Sequence, residues 1–457
     1  MSTAKSNPGG NKMGSWPIGK LLVNMALPLV CSMLVQALYN VVDSIYVSRI
    51  SESAVTALSL AFPVQNLLIG CATGVGVGVN SLLSKSLGEQ NYERANRTAG
   101  NGYLLSAAFS ALFVIFGLFF AKPFFATQST VAETVEGGAA YLAIVCIGSI
   151  GVFIGILNER LLQATGRASL SMVTQAAGAI INIILDPILI FGWFGLPAMG
   201  IAGAAWATII GQWVGAIIAV WLNWKYNTDL KLMRKHARID GYVSRTILSI
   251  GIPSIIMVGI GSVMNFGVNQ ILQGFSETAT GVFGIYFKLQ SFFFMPLFGI
   301  NNAVISIVAF NYGARNPGRM LDTVKQAAIA GLGIMLCGLA AFQFLPELLL
   351  GIFDPSPEFM AMGIRALRTI SWCFPVAAVC IILGSTFQAL GTGFYSTIVS
   401  LARQLIVLLP AAWLLSQTGN VNLVWWAWPI AESMGLAMTL FFFLRNYRRR
   451  IKPLYEN

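Results

Sequence analysis

Residues 28–43 of this chain read PLVCSMLVQALYNVVD, and residues 253–268 read PSIIMVGIGSVMNFGV. Both stretches are mostly apolar, begin with proline and carry an asparagine at the same place. The same 225-residue offset that relates Pro28 to Pro253 continues far along the chain, through pairs that include Ser51 and Ser276, Gly74 and Gly299, Gly88 and Gly313, Asn91 and Asn316, Arg94 and Arg319, and Gln163 and Gln388. One constant offset predicts two structural copies in series.

Composition places both copies in a membrane. Hydrophobic residues make up 56% of the 457 residues and charged residues only 10%, and the mean hydropathy is +0.74. A soluble protein of this length lacks the interior to bury so much apolar surface. Because roughly 20 apolar residues are needed to cross the hydrocarbon layer, we predict twelve transmembrane helices, near residues 20–48, 54–84, 98–121, 138–162, 168–191, 200–224, 244–272, 280–309, 324–346, 362–390, 395–416 and 422–446.

The predicted fold class is an all-α integral membrane protein with twelve transmembrane helices in two six-helix lobes. Six helices per copy is an even number, so both copies enter the membrane in the same direction and their pseudo-two-fold axis runs along the membrane normal. We expect a cytoplasmic N-terminal tail, an N-lobe with helices 1–6, a cytoplasmic linker, a C-lobe with helices 7–12 and a cytoplasmic C-terminal tail. Their predicted bounds are 1–19, 20–224, 225–243, 244–446 and 447–457.

The distribution of Lys and Arg predicts the orientation. With the N-terminus inside, the outer loops contain few basic residues besides Arg49 and Lys122. Arg365 and Arg368 lie at the outer start of a helix. The inner loops and the C-terminal tail are basic, through residues that include Lys85, Arg94, Arg97, Arg238, Arg245, Arg448, Arg449 and Arg450. This asymmetry predicts a multi-pass protein of a bacterial-type cytoplasmic membrane with both termini cytoplasmic. It also accounts for the net charge of +11, so the predicted partner is the lipid bilayer and not nucleic acid.

Missing motifs argue against an enzyme. The chain has no GxxxxGK[ST] sequence for an ATPase, and its only histidine, His236, lies in the basic linker, which argues against Ser-His triads and multi-histidine metal sites. The six cysteines have neither disulfide nor zinc spacing, which indicates small buried hydrophobic residues. The GVGVG run at residues 74–78 lies within a predicted helix, where such spacing is typical of close helix packing. We expect no cofactor.

Four polar residues within the predicted helices of the N-lobe stand out. Asp43 lies in helix 1 and Thr208 in helix 6. Asn182 and Asp186 lie one turn apart in helix 5. At 1.5 Å per residue, all four are about 8–13 Å below the outer boundary of the membrane. Ionisable residues inside a bilayer are costly and usually face a cavity, so this group is the first candidate for a functional site.

Three uses are open for this group. In a low dielectric, one of two carboxylates is driven to hold a proton, which would make the pair a proton acceptor. Alternatively, its oxygens could ligate a small hard cation such as Na⁺. The third use is a buried hydrogen-bonded cluster that holds helices together. The equivalent positions of the second copy are Val268, Val407, Ala411 and Ser433. The copies therefore share their helices but not this group, which favours a specialised site in the N-lobe.

The C-lobe has a different character. Its helices 7 and 8 are rich in Met, Phe and amide side chains, which is typical of an adaptable and unspecific pocket, although each such residue alone is more often a packing residue. We predict a substrate site between the lobes, formed by Gln36, Tyr39, Met257, Met264, Asn265, Asn269, Lys288, Met295 and Asn302. Pro28 and Pro187 interrupt the hydrogen bonding of helices 1 and 5, and we predict that they act as hinges.

Several motifs resemble those of the multidrug and toxic compound extrusion (MATE) transporters, in particular the MepA-like or DinF-like branch. The resemblance covers residues 20–446, and its carriers are LYNVVD at 38–43, LGEQN at 87–91, QATG at 163–166, NIILDP at 182–187 and GAAWAT at 203–208. It implies a fold that alternates between outward-open and inward-open V shapes. It also implies that Asp43, Asn182, Asp186 and Thr208 take part in cation coupling. The acids that the NorM-like branch carries on helices 7 and 10 are absent here.

We therefore predict an antiporter that couples to H⁺ or Na⁺ and exports organic, mostly cationic amphipathic drugs by alternating access, functional as a monomer. The sequence leaves H⁺ and Na⁺ both open, because both use the same oxygens. The alternative is a lipid-linked oligosaccharide flippase of the same superfamily: Lys288 and Arg403 would suit an anionic pyrophosphate, whereas the acids at positions 43 and 186 count against it. An ion channel or a structural membrane protein is disfavoured by the two-lobe repeat.

Overall fold

The computed structural model describes residues 11–231, 236, 238–353 and 356–456. Within these residues the chain is helical and contains no strand. Twelve helical segments are long and apolar enough to cross a membrane, if one bent pair counts as a single span. They are α1 (Ile18–Ser48), α2 (Glu52–Gly88), α3 (Tyr92–Phe119), α4 (Ala132–Ile147 and Ser149–Ala164), α5 (Ala168–Phe191), α6 (Gly200–Tyr226), α7 (Gly241–Gln273), α8 (Glu277–Gly313), α9 (Pro317–Phe344), α10 (Pro357–Ala389), α11 (Gly393–Ser416) and α12 (Ala427–Asn446).

All twelve predicted spans are confirmed, each with bounds within seven residues of the prediction. The sequence did not indicate two short helices, Ala121–Gln128 and Pro346–Gly351, which follow α3 and α9 and begin at positions related by the same offset. It also did not indicate the 45° bend that divides α4 at Gly148, or the π-helical turn Ala402–Leu408 within α11. Because the number of spans is even, both termini lie on the same face of the membrane, which we call the terminal face.

Residues that are identical at the 225-residue offset begin equivalent helices. The side chains of Ser51 and Ser276 cap α2 and α8 by accepting hydrogen bonds from backbone N–H groups three residues later. Asn91 and Asn316 cap α3 and α9 in the same way. A cap satisfies backbone donors that have no partner inside the helix. The repeat therefore conserves between its halves the signals that start its helices.

The two lobes pack against each other through α2 with α7 and α1 with α8. Glycines make this close approach possible: a Cβ atom on Gly74 would lie 2.7 Å from the carbonyl oxygen of Gly251, and one on Gly299 would lie 2.7 Å from the backbone nitrogen of Val30. The prediction that the GVGVG run at 74–78 mediates close helix packing is confirmed. Near the terminal face, α2 and α8 cross in backbone contact at Gly88 and Gly313.

Residues 11–16, which we call the N-terminal strap, lie across the terminal face between the lobes. The Met13 side chain is fully buried, and its carbonyl oxygen accepts hydrogen bonds from Asn311 Nδ2 at 3.2 Å and Arg319 Nη2 at 3.0 Å, both of the C-lobe. On the N-lobe side, Asn11 Nδ2 donates to the carbonyl oxygen of Thr165 at 3.4 Å. This part of the predicted N-terminal tail is therefore structured, whereas residues 1–10 lie outside the described residues.

Candidate functional site

Close packing of α5 on α6 brings polar residues that are distant in sequence together inside the N-lobe. A Cβ atom on Gly211 would lie 2.7 Å from the carbonyl oxygen of Gly178, so only glycine permits this separation of the two helices. As a result, Asn182 and Asp186 of α5 face Thr208 of α6, and these side chains are 3%, 0% and 5% exposed. They lie in the half of the membrane away from the terminal face.

Asn182 connects the other two residues. With the amide oriented to satisfy both neighbours, Asn182 Nδ2 donates to Asp186 Oδ2 at 3.0 Å and Asn182 Oδ1 accepts from the backbone N–H of Thr208 at 3.0 Å. In the other amide orientation, Asn182 Nδ2 contacts Thr208 Oγ1 at 3.3 Å. Asn182 thus fixes the position of one carboxylate oxygen and bridges α5 to α6.

Asp43 of α1 completes the group. Its carboxylate interacts electrostatically with Asp186 and with the hydroxyl of Tyr39, whose side chain also interacts with Thr208. Tyr141 of α4 interacts electrostatically with Asp43 as well, and its hydroxyl accepts a hydrogen bond from Gln65 Nε2 at 2.8 Å. Three of the four predicted coupling residues therefore contact one another, and the fourth lies within electrostatic range.

The two carboxylates are incompletely satisfied. Asp43 Oδ1 and Asp186 Oδ1 are both buried and have no hydrogen-bond partner. A buried oxygen without a partner is costly, and a proton shared with a carboxylate or a coordinated monovalent cation would each satisfy such atoms. The described residues contain no group of three or more His, Cys, Asp or Glu side chains suited to a metal ion. The oxygen ligands that this group offers to a cation are those of two carboxylates, one amide and one hydroxyl.

A cavity of about 220 Å³ adjoins this group. It is lined by α1, α2, α4, α5 and α6, all of the N-lobe, and it includes the predicted residues Gln36, Tyr39, Asn182 and Thr208. Asp43 and Asp186 lie beside the cavity and are not part of its lining. The cavity extends toward the terminal face as far as Glu159.

The C-lobe residues predicted to bind substrate do not line this cavity. Met257, Met264, Asn265, Asn269 and Met295 are half-buried on α7 and α8, Lys288 is exposed and Asn302 is buried. Of these, Asn265 carries a buried side-chain oxygen without a hydrogen-bond partner. Their role in binding stays a prediction. The predicted hinges lie inside helices: Pro28 within α1 and Pro187 within α5.

Two charged features were missed at the sequence level. Glu159 of α4 lines the N-lobe cavity. In the C-lobe, Glu432 of α12 pairs with Arg403 of the π-helical turn, with Arg403 Nη1 at 2.9 Å and 3.0 Å from the two carboxylate oxygens. Comparison of the two copies could have revealed both acids, because each stands opposite an uncharged residue. Gly384 is equivalent to Glu159, and Ala207 is equivalent to Glu432. The pair also leaves the guanidinium of Arg403 neutralised by a carboxylate of its own lobe.

Comparison with known proteins gives consistent relatives. The MatE family model matches residues 28–188 and 253–414, two segments whose first positions are related by the offset of the internal repeat. The multidrug export protein MepA of Staphylococcus aureus is 25% identical over 435 residues, which is 94% of this chain and 95% of that protein. MepA of Staphylococcus haemolyticus is 25% identical over 432 residues, 94% of each chain.

Solved structures share the fold. An outward-facing conformation of a multidrug resistance MATE family transporter of the MOP superfamily superposes with a TM-score of 0.91 at 24% identity, covering 99% of this chain and 100% of that one. A MATE structure in complex with MaL6 matches with the same TM-score, identity and coverage. The predicted arrangement of two six-helix lobes is thereby confirmed.

Proposed function

The chain belongs to the MatE family of multidrug efflux transporters, and we propose that it is an antiporter that couples entry of H⁺ or Na⁺ to export of organic, mostly cationic amphipathic molecules. The observation that carries this proposal is the pair of buried carboxylates, Asp43 and Asp186, each with an oxygen that lacks a partner. The pair lies beside a cavity of the N-lobe and has no counterpart in the C-lobe.

The proposed mechanism is exchange by alternating access. A proton or Na⁺ arriving from the face opposite the terminal face binds at Asp43 and Asp186, where Asn182 and Thr208 supply further oxygens. Satisfying the unpartnered oxygens changes the interactions between α1 and α5, and α1 bends near Pro28 to release the cargo. The coupling ion can drive this step only through its different affinity for the two conformations.

The orientation and assembly form part of the same proposal. We place the terminal face in the cytoplasm of a bacterial cell, so that both termini are cytoplasmic and the basic linker at 225–243 joins the lobes on the inner side. Because one chain contains both lobes and the whole coupling group, a monomer is sufficient. The relatives are multidrug exporters, and Arg403 is neutralised by Glu432, so the lipid-linked oligosaccharide flippase is not favoured.

Vesicle transport tests the proposal. Purified protein in liposomes should extrude ethidium when either an inward pH gradient or an inward Na⁺ gradient is imposed, and the gradient that works identifies the coupling ion. Asp43→Asn keeps the shape of the side chain and removes its charge, so we expect at least a tenfold loss of gradient-driven efflux. Glu347→Gln, an exposed acid on the short helix Pro346–Gly351, is the matched control. Unchanged efflux in Asp43→Asn would refute the assignment of the coupling site.

A further inference from the structure

The terminal-face end of the N-lobe cavity contains a carboxylate that the coupling mechanism does not use. Glu159 lies on α4, five residues before that helix ends at Ala164, whereas Asn182 lies about 21 Å from the start of α5. Two neighbours from α5 orient the carboxylate: Gln175 Nε2 donates at 2.6 Å, and Thr174 Oγ1, whose hydrogen is shared with the carbonyl oxygen of Ser171 at 2.7 Å, lies at 3.3 Å. Among the described residues, no Lys, Arg or His forms an ion pair with Glu159.

Two amide oxygens in the same cavity lack hydrogen bonds. Gln175 Oε1 and Gln212 Oε1 are buried without a partner, and both side chains line the cavity. Gln175 cannot turn to satisfy this oxygen without breaking the hydrogen bond from its Nε2 to Glu159. The cavity therefore presents one carboxylate and two amide oxygens, all of them acceptors. The two amide oxygens lack a donor, and the carboxylate oxygens have lone pairs for further hydrogen bonds from a bound molecule.

The neighbouring guanidinium of Arg160 reduces the contribution that the charge of Glu159 alone can make to binding a cation. Arg160 lines the cavity too and interacts electrostatically with Glu159, although its guanidinium donates its hydrogen bond to Gln163 Oε1 at 3.0 Å. A cation without N–H groups would gain little from a carboxylate that a guanidinium already compensates in part, and it would leave the acceptor oxygens buried and unpaired. A site built to accept hydrogen bonds rejects analogues that cannot donate them.

We propose that this end of the cavity binds the protonated amine of the cargo through its N–H groups, with Glu159, Gln175 and Gln212 as acceptors. The inference rests on the proposed export function and adds the substrate class, namely protonated primary or secondary amines in preference to quaternary cations. The cavity of about 220 Å³ is smaller than the roughly 300–1,000 Å³ usual for a drug-sized ligand. It takes the amine end of the cargo, and the remainder of the molecule lies outside it.

A matched pair of dyes tests the proposal on the full-length protein. Dansylcadaverine carries a primary ammonium on a flexible chain, and its trimethylammonium derivative has the same charge and chain but no N–H donor on the cation. Binding is measured by dansyl fluorescence with purified protein in nanodiscs without any gradient. We expect the wild-type protein to bind dansylcadaverine at least tenfold more tightly than the trimethyl derivative.

Variants assign the preference to residues. Glu159→Gln should weaken dansylcadaverine binding at least tenfold and change binding of the trimethyl derivative less than threefold. Gln212→Leu leaves the hydrogen bonds of Glu159 intact and should reduce the preference for dansylcadaverine severalfold. This variant tests the site if Glu159→Gln does not fold. Glu347→Gln should leave both affinities unchanged, because this acid is exposed and distant from the cavity.

The outcomes separate this proposal from the coupling proposal. Equal affinity of the wild-type protein for the two dyes, failure to bind either dye, or an amine preference that survives both Glu159→Gln and Gln212→Leu would overturn the amine site. Asp43→Asn should keep the amine preference and lose gradient-driven transport. If the preference is intact while wild-type vesicles loaded with dansylcadaverine show no response to either gradient, the coupling proposal fails and the binding site stands.

Discussion

The buried acids of the two lobes differ in whether they form an ion pair with a basic side chain. In the N-lobe, Asp43 and Asp186 each keep a buried oxygen without a partner. In the C-lobe, Glu432 is paired on both oxygens with Arg403, and the two side chains are only 14% and 18% exposed. An acid that is already neutralised cannot serve as the binding site of a mobile cation. This difference supports the proposed coupling role of the N-lobe acids and indicates a structural role for Glu432.

The structural role of the C-lobe pair leads to a prediction from a double-mutant cycle. Arg403→Met leaves Glu432 as an uncompensated buried charge, which should destabilise the protein by about 3–5 kcal/mol. Adding Glu432→Gln removes that charge, so the double variant should recover most of the lost stability. Thermal unfolding in detergent, followed by tryptophan fluorescence, is measured for the wild-type protein, both single variants and the double variant. A double variant that is less stable than Arg403→Met would contradict the pairing as the cause.

Mismatches at the 225-residue offset singled out the four residues for which we propose a coupling role, and the structure brings three of them into contact. Glu159 was missed for a physical reason: five residues from a helix end and next to Arg160, an acid is expected to reach water. Only the tertiary structure shows that α5 covers it and that Gln175 binds it. The pairing of Arg403 with Glu432 also depends on how α11 and α12 are rotated, which the spacing of residues does not determine.

At the scale of elements, the crossing of α2 and α8 holds the lobes together near the terminal face. At the crossing, Gly88 lies against the carbonyl oxygen of Phe310, and Gly313 lies against that of Lys85. The 225-residue offset relates these two contacts to each other. A side chain at either glycine would meet backbone atoms, which cannot move aside as a flexible side chain can. The closed terminal face therefore depends on two residues without a Cβ atom.

We predict that Gly88→Ala or Gly313→Ala moves the lobes apart at the terminal face. Spin labels at the exposed positions Tyr92 and Asp322, in a protein without its native cysteines, report the distance across this face by electron–electron double resonance. The distance distribution should shift to longer values by several ångströms in either variant. Gly333→Ala is the control, because a Cβ atom there has no neighbour within 4 Å. An unchanged distribution in both variants would show that the crossing is not tight.

The sequence predicted the elements well where a local signal exists. Capping residues such as Ser51 and Ser276 mark helix starts by local chemistry, and the apolar runs fix the spans. The bend at Gly148 and the π-helical turn at Ala402–Leu408 carry no comparable signal. Each depends on the helices packed around it, so the sequence predicted the spans and not their distortions.

At the scale of the whole molecule, the N-terminal strap joins the two lobes on the terminal face. Arg319 Nη2 donates to the carbonyl oxygens of Met13 and Trp16 at 3.0 Å and 2.8 Å, and Asn11 contacts the N-lobe at Thr165. If the lobes separate on this face during transport, the strap must give up its contacts with one of them. Its hydrogen bonds therefore stabilise the conformation in which the terminal face is closed.

We predict that Arg319→Gln loosens the strap and shifts the molecule toward a terminal-face-open conformation. The variant loses the charged donor to two backbone carbonyls, which contributes roughly 1.5–3 kcal/mol for each charge-assisted hydrogen bond. Hydrogen–deuterium exchange in nanodiscs should then show amide exchange at residues 13–16 that is at least tenfold faster than in the wild-type protein. Arg315→Gln removes the same charge from an exposed neighbour and should leave this exchange unchanged. Equally accelerated exchange in the two variants would mean that surface charge, and not the bond to the strap, holds residues 13–16 in place. Unchanged exchange in Arg319→Gln would show that its hydrogen bonds do not hold the strap.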